Sequence, residues 1–282
     1  MTRCESYNGQ SGVWLFLAIF LTMSSTIFVH PVNALTISIG EPFGGSLING
    51  VQFPSGFHGF KLLDENRNFT TPEVVGALLD AAERFKERYP DSCDIVLGDF
   101  SGKGGGRLKG HRSHQNGRDV DIGLCAIDNA QLEGLVPLNT GRLDLAKTWY
   151  MIQSLVSTQS VQCIFLDRSI QARLYRQALC EGANPDDLSK IFANAGRGGG
   201  PDSLIQHVPG HRNHMHVRFF APWSTLAGTF KEIDPRRQMV IETSQWFCPQ
   251  PQANPSAEGS ETELNQIAKY NGAMPKVNSL LR

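Results

Sequence analysis

His211-Arg-Asn-His214-Met-His216-Val217-Arg218-Phe219-Phe220 places three of the chain's eight histidines within six residues and then runs into apolar, β-prone positions. Side chains on a strand alternate between faces, so His214 and His216 project the same way. Two imidazoles on one face of a rigid strand are the beginning of a divalent metal site. A complete site needs further ligands from elsewhere in the chain.

A second segment, about a hundred residues earlier, offers them: Gly110-His111-Arg112-Ser113-His114-Gln115-Asn116-Gly117-Arg118-Asp119-Val120-Asp121-Ile122. Asn116-Gly117 signals a turn. The alternation from Asp119 to Ile122 predicts a half-buried strand with Asp119 and Asp121 on one face. A turn between His114 and Asp121 lets both converge on one point. Imidazole and carboxylate suit zinc, and two ligands from this segment plus one from the histidine run leave a fourth position for water. Such an open site is catalytic in character, whereas structural zinc sites are closed and usually rich in cysteine. Asp119 fits a supporting role, holding His114 or His111 by a hydrogen bond. His58 and His207 show no partner pattern and read as structural; His30 falls in the leader.

The chain has 282 residues and a formal net charge of −1. That balance argues against nucleic acid as the main partner, because phosphate binding favours a basic surface. Val13 to Val29 is an apolar run followed by Val32-Asn33-Ala34, a small-residue pattern of the kind signal peptidase cleaves. Residues 1–34 therefore read as a secretory signal peptide, with an uncleaved anchor as the rival, although the run is weak for a span of about 20 residues. Five cysteines follow the leader: Cys93, Cys125, Cys163, Cys180 and Cys248. Export predicts disulfide pairing, and the odd count leaves at least one thiol over.

The expected order begins with an extended loop over 40–59. A helix starts at Thr71-Pro72, with Thr71 as N-cap, and runs to about Tyr89. A strand over 94–99 and a glycine-rich loop lead into the histidines. Helices follow over 143–156, 169–180 and 186–195, and strands over 162–166, 204–208 and 214–220. The fold class is α+β: a small, mainly antiparallel sheet carries the zinc site, and helices pack on its far face. Residues 35–246 form the domain. Residues 247–282, rich in Pro, Gln, Asn and Ser near their start, read as a poorly ordered tail. The runs Gly104–Gly106 and Gly198–Gly200 lack the Gly-Lys-Ser/Thr ending of a phosphate loop and read as flexible rims of a cleft.

Other hydrolase chemistries are absent. There is no Gly-x-Ser-x-Gly elbow, no His-Glu-x-x-His and no Ser-x-x-Lys. His-x6-Asp followed later by His-x-His resembles instead a group of zinc peptidases that includes lysostaphin-type enzymes, D-alanyl-D-alanine carboxypeptidases and the hedgehog fold. Within it, the chain looks like the penicillin-insensitive murein endopeptidases. The resemblance rests on His111 to Gln115 with Gly117 and Asp119-Val120-Asp121, and on His211, His214, His216, Val217 and Arg218. Ser38-Ile39-Gly40, Asn66-Arg67, Pro72-Glu73 and Gly98-Asp99-Phe100-Ser101 support it. The tail after Trp246 lies outside this resemblance.

The resemblance implies that His114, Asp121 and His216 bind zinc, with His111 as a further ligand or just behind the ligands. It implies His214 as general base or transition-state stabiliser, assisted by His211. The implied substrate is the peptide cross-link of murein (peptidoglycan), cleaved between D-alanine and diaminopimelate or between two diaminopimelates, in the periplasm. The alternatives are a zinc D,D- or L,D-carboxypeptidase or dipeptidase on the same scaffold, and a non-catalytic zinc-containing murein-binding module.

Overall fold

A computed structural model describes residues 35–57, 59–139, 141–192, 203–221 and 236–247. The leader, His58, Gly198–Gly200, Cys248 and the tail lie outside the described residues. Among those described, no helix is long and apolar enough to cross a membrane.

The strands are β1 Ile37–Glu41, β2 Gly44–Ile48, β3 Val51–Gln52, β4 Phe60–Leu62, β5 Phe69–Thr70, β6 Ile95–Leu97, β7 Asp119–Gly123, β8 Val161–Leu166, β9 Ile205–His207 and β10 His214–Phe219. The helices are α1 Pro72–Arg88, α2 Leu145–Ser157, α3 Arg168–Cys180, α4 Pro185–Ile191 and α5 Arg236–Phe247. The main sheet runs β4-β6-β7-β10-β8-β9. Its centre is antiparallel, and the outer pairs β4–β6 and β8–β9 are parallel. The α+β expectation holds.

β10 is the pivot. It pairs with β7 on one side, His216 opposite Asp121, and with β8 on the other, His216 opposite Phe165. Alternation does the rest: Val120, Ile122, Ile164, Leu166, Met215 and Val217 join the buried core with α1 and α2. The acids and histidines of the same strands turn to the opposite face. Burying the apolar side of these strands therefore fixes which way the polar residues point.

The region 40–59 corrects the sequence expectation. In place of an extended loop, β1 and β2 form a hairpin with Ile37 opposite Ile48. Its glycines hide the strand pattern. The hairpin buttresses the site loop: Ser38 Oγ donates to Asn116 O at 2.8 Å, and Gln115 N to Pro42 O at 3.0 Å. The Gly104–Gly106 segment is likewise pinned, not a loose rim. Gly106 N donates to Gln115 O at 2.7 Å and Leu47 N to Gly104 O at 3.0 Å.

Three further details depart from expectation. Thr71 occupies the α1 N-cap, but its hydroxyl makes no capping bond. α5 has no counterpart in the sequence expectation, because it buries Thr243 and Ser244 beside Val240 and so lacks a clean apolar stripe. The disulfides expected from export are not found among the described residues: none joins Cys93, Cys125, Cys163 and Cys180. Cys125 and Cys163 lie in the interior, where the apolar core supplies the cohesion that cross-links supply in smaller domains.

Candidate metal centre

His114 sits in the left-handed backbone region, with φ +65°, and is fully buried. A side chain rarely adopts that conformation, so the surroundings must hold it. Two bonds do so. Its backbone N–H donates to Asp119 Oδ2 at 3.1 Å, and its ring Nδ1 lies 2.8 Å from Phe100 O. A carbonyl can only accept, so Nδ1 carries the proton and Nε2 is left with its lone pair.

That Nε2 lies 3.3 Å from Asp121 Oδ1. On the neighbouring strand, His216 Nδ1 lies 3.4 Å from the same oxygen, as does His214 Nε2. His114 Nε2, Asp121 Oδ1 and His216 Nε2 are buried and have no hydrogen-bond partner. Buried polar atoms are seldom left so. Imidazole nitrogens and a carboxylate oxygen gathered without partners are a donor set that fits a divalent cation.

Two overlapping groups have suitable spacing: His111, His114 and Asp121, and His114, Asp119 and His216. Charge separates the two carboxylates. Arg218 spans both Asp119 oxygens, Nε to Oδ1 at 2.8 Å and Nη2 to Oδ2 at 3.1 Å. With the His114 N–H added, Asp119 is compensated within the protein. It approaches His216 Nε2 at 3.3 Å, behind the ring as seen from Asp121. This is the arrangement in which an outer carboxylate orients a ligating imidazole. Among the described residues Asp121 has no such cation, so its negative charge is the one directed at the cluster.

Burial works against charge on both aspartates, but their histidine neighbours, and Arg218 for Asp119, outweigh it and hold each carboxyl well below the ordinary range. Burial opposes charge on His114 too, yet Asp121 and Asp119 raise its pKa. Burial keeps His216 below the usual imidazole value, which favours the neutral form a metal needs. His211 is lowered by burial first and then by the neighbouring His214 and His216.

All the histidines singled out in the sequence gather here. Ring centroids lie 4.3 Å apart for His111–His114, 4.6 Å for His114–His216 and 4.9 Å for His211–His214. Phe165 packs edge-on against His216, and the Arg218 guanidinium covers the Phe165 ring at 5.0 Å. His207, read as structural, acts locally, its Nδ1 accepting from Arg168 N at 3.0 Å at the start of α3.

The family model for penicillin-insensitive murein endopeptidases matches residues 38–277. The chain belongs to the penicillin-insensitive murein endopeptidase family. The match runs past Trp246 into the tail, so the expectation that the resemblance stops there is corrected. Relatives carrying that family name include proteins from Yersinia enterocolitica, 25% identical over 87% of this chain and 90% of the relative, and from Pectobacterium atrosepticum, 26% identical over 82% and 81%. One from Salmonella paratyphi C is 26% identical over 78% and 80%. These are endopeptidases by name, which favours that activity over a carboxypeptidase or a binding module.

Two residues of this candidate site carry positioning bonds that the sequence did not point to. Asp99 Oδ2 lies 2.7 Å from His111 Nε2 and is held by Arg67 Nη2 at 3.0 Å. Asn213 Oδ1 accepts from His214 Nδ1 at 2.8 Å, while its Nδ2 donates to Leu135 O at 2.9 Å. The only available signals were their places beside Phe100 and inside the histidine run.

Proposed function

We propose that this chain is a zinc-dependent endopeptidase acting on the peptide cross-links of murein. One observation carries the reading: His114 Nε2 and His216 Nδ1 lie 3.3 and 3.4 Å from Asp121 Oδ1, and both His114 Nε2 and Asp121 Oδ1 are buried without a hydrogen-bond partner. His114, Asp121 and His216 are the ligands, with His111 beside them and Asp119 behind His216. Bound there, Zn2+ supplies Lewis acidity toward a carbonyl oxygen and lowers the pKa of a water molecule toward about 7.

The remaining work falls to the chain. Asn213 keeps the His214 proton on Nδ1, so Nε2 accepts the proton of the attacking water and returns it to the leaving amine. His211, with Nδ1 3.3 Å from Val208 O and its ring centroid 4.9 Å from that of His214, assists the proton transfer at His214. Residues 1–34 direct export, residues 35–246 form the catalytic domain, residues 247–282 are a tail, and the enzyme works in the periplasm, where its substrate lies. The apolar run from Val13 to Val29, followed by Val32-Asn33-Ala34, supports that location.

Release of un-cross-linked muropeptides from murein tests the reading. Activity is expected to vanish on chelation, to return with zinc and to be lost in His216→Ala. Cleavage that survives both treatments would contradict it, and loss of terminal residues without loss of cross-links would identify a carboxypeptidase instead.

A further inference from the structure

Beside the histidine cluster lies a shallow cavity, wide open to solvent, lined by Arg107, Leu108, Lys109, Gly110, His111 and Arg112. His111 joins the cavity to the cluster, its Nδ1 lying 3.8 Å from Asp121 Oδ2. The side chains of Arg107, Lys109 and Arg112 are exposed and have no acidic partner among the described residues. Asp99, the nearby acid, is already engaged by Arg67 and His111. A net charge of −1 over the whole chain makes three uncompensated cations in one cavity a local feature, not a general basicity. The loop's path is fixed beneath them, since Arg67 Nη2 donates to Lys109 O at 2.7 Å and His111 N to Leu108 O at 3.2 Å.

We infer that this cavity is a subsite for a free carboxylate of the substrate, next to the scissile bond. The inference rests on the endopeptidase reading. In a cross-link whose leaving amine belongs to diaminopimelate, the carbon bearing that amine also bears a carboxylate. Only three covalent bonds separate the scissile carbon from the carboxylate carbon, a distance of at most about 4 Å. A peptide bound at the histidine cluster therefore carries a negative charge into its immediate surroundings. Arg107 and Arg112 offer the planar fork that meets a carboxylate with two parallel bonds, and Lys109 adds a point charge. Ordinary peptides lack a carboxylate at this position, because there it is consumed in the next amide. The subsite thus selects the branched, acidic cross-link over a linear chain.

The test uses the zinc-loaded full chain and two soluble murein peptide dimers, one with this carboxylate free and one with it amidated. Wild-type enzyme is expected to prefer the free acid by about tenfold, in KM. The triple variant Arg107→Gln, Lys109→Gln, Arg112→Gln should raise KM for the free acid about tenfold, keep kcat within about twofold and erase the preference. Arg107→Lys with Arg112→Lys should restore part of it, which a merely structural role would not. Calorimetric binding of the diaminopimelate-containing product peptide gives a second readout, expected to weaken about tenfold in the triple variant. Equal KM for both dimers in wild type, or unchanged product binding in the triple variant, would overturn the subsite. Wild-type protein that binds the product, loses binding in the triple variant and cleaves neither dimer would overturn the endopeptidase reading alone.

Discussion

Asp119 is the residue on which the arrangement of the centre depends most. It is fully buried, yet it accepts from Arg218, holds the His114 backbone and stands behind His216. Removing one member of a buried ion pair leaves the other uncompensated, at a cost of about 3–5 kcal/mol. Arg218→Ala should therefore lose stability of that order in chemical denaturation of the metal-free protein; a change below about 1 kcal/mol would contradict the pairing. Folding lowers the Asp119 pKa, so the stability it contributes is fully present above the unfolded carboxyl value of about 4 and is lost as pH falls through the lower, folded value. Wild type is thus expected to lose stability steeply below about pH 4, and Asp119→Asn to do so less steeply. Asn213 makes a separate residue-scale case. Asn213→Ala frees the His214 ring to turn or to exchange tautomers, and should lower kcat by about tenfold or more with little change in KM. Asn213→Asp, which keeps the acceptor, should recover part of the loss.

At the scale of elements, strands read from alternation were legible and a glycine-rich hairpin was not. β7 and β10 show their two faces in sequence, because polar and apolar residues alternate and burial of one face is what positions the other. β1 and β2 contribute Gly40, Gly44 and Gly45 instead of side chains, so their pairing is visible only in backbone hydrogen bonds. Gly40 and Gly45 are there for close approach, since a Cβ on them would meet Gly44 O at 2.9 Å and Ile39 O at 2.3 Å. Gly105 has φ +68°, and a Cβ on it would meet Gln115 O at 2.3 Å and Leu47 N at 2.5 Å, both backbone atoms. Gly105→Ala should cost more than about 1 kcal/mol and displace the loop that carries His111 and His114. A lowered thermal midpoint together with weaker metal binding would bear this out; a variant as stable as wild type would show that the loop tolerates the shift. The histidines were legible as a group because they are dense in sequence. Their division of labour came only from the family resemblance, since spacing does not say which ring nitrogen meets Phe100 O, Asn213 or Asp119.

For the whole molecule, what brings the site together is the placement of β10 between β7 and β8, which joins segments about a hundred residues apart. No local pattern announces that neighbourhood. Cys125 sits within the same core. Burial pushes the Cys125 thiol up to about 12, so it should resist iodoacetamide near neutral pH until the protein unfolds. Exposed Cys180 should label first in the native state. Peptide mass mapping before and after denaturation would show this order; early labelling of Cys125 would mean the core opens more readily than its packing implies.

The assignment of His114, Asp121 and His216 as ligands is tested most directly by anomalous diffraction at the zinc edge from crystals of the zinc-loaded protein. One peak is expected about 2.0–2.2 Å from His114 Nε2, an Asp121 carboxylate oxygen and His216 Nδ1, with Asp119 outside that shell. A peak bonded to Asp119 and to His216 Nε2, or no peak within reach of Asp121, would contradict it.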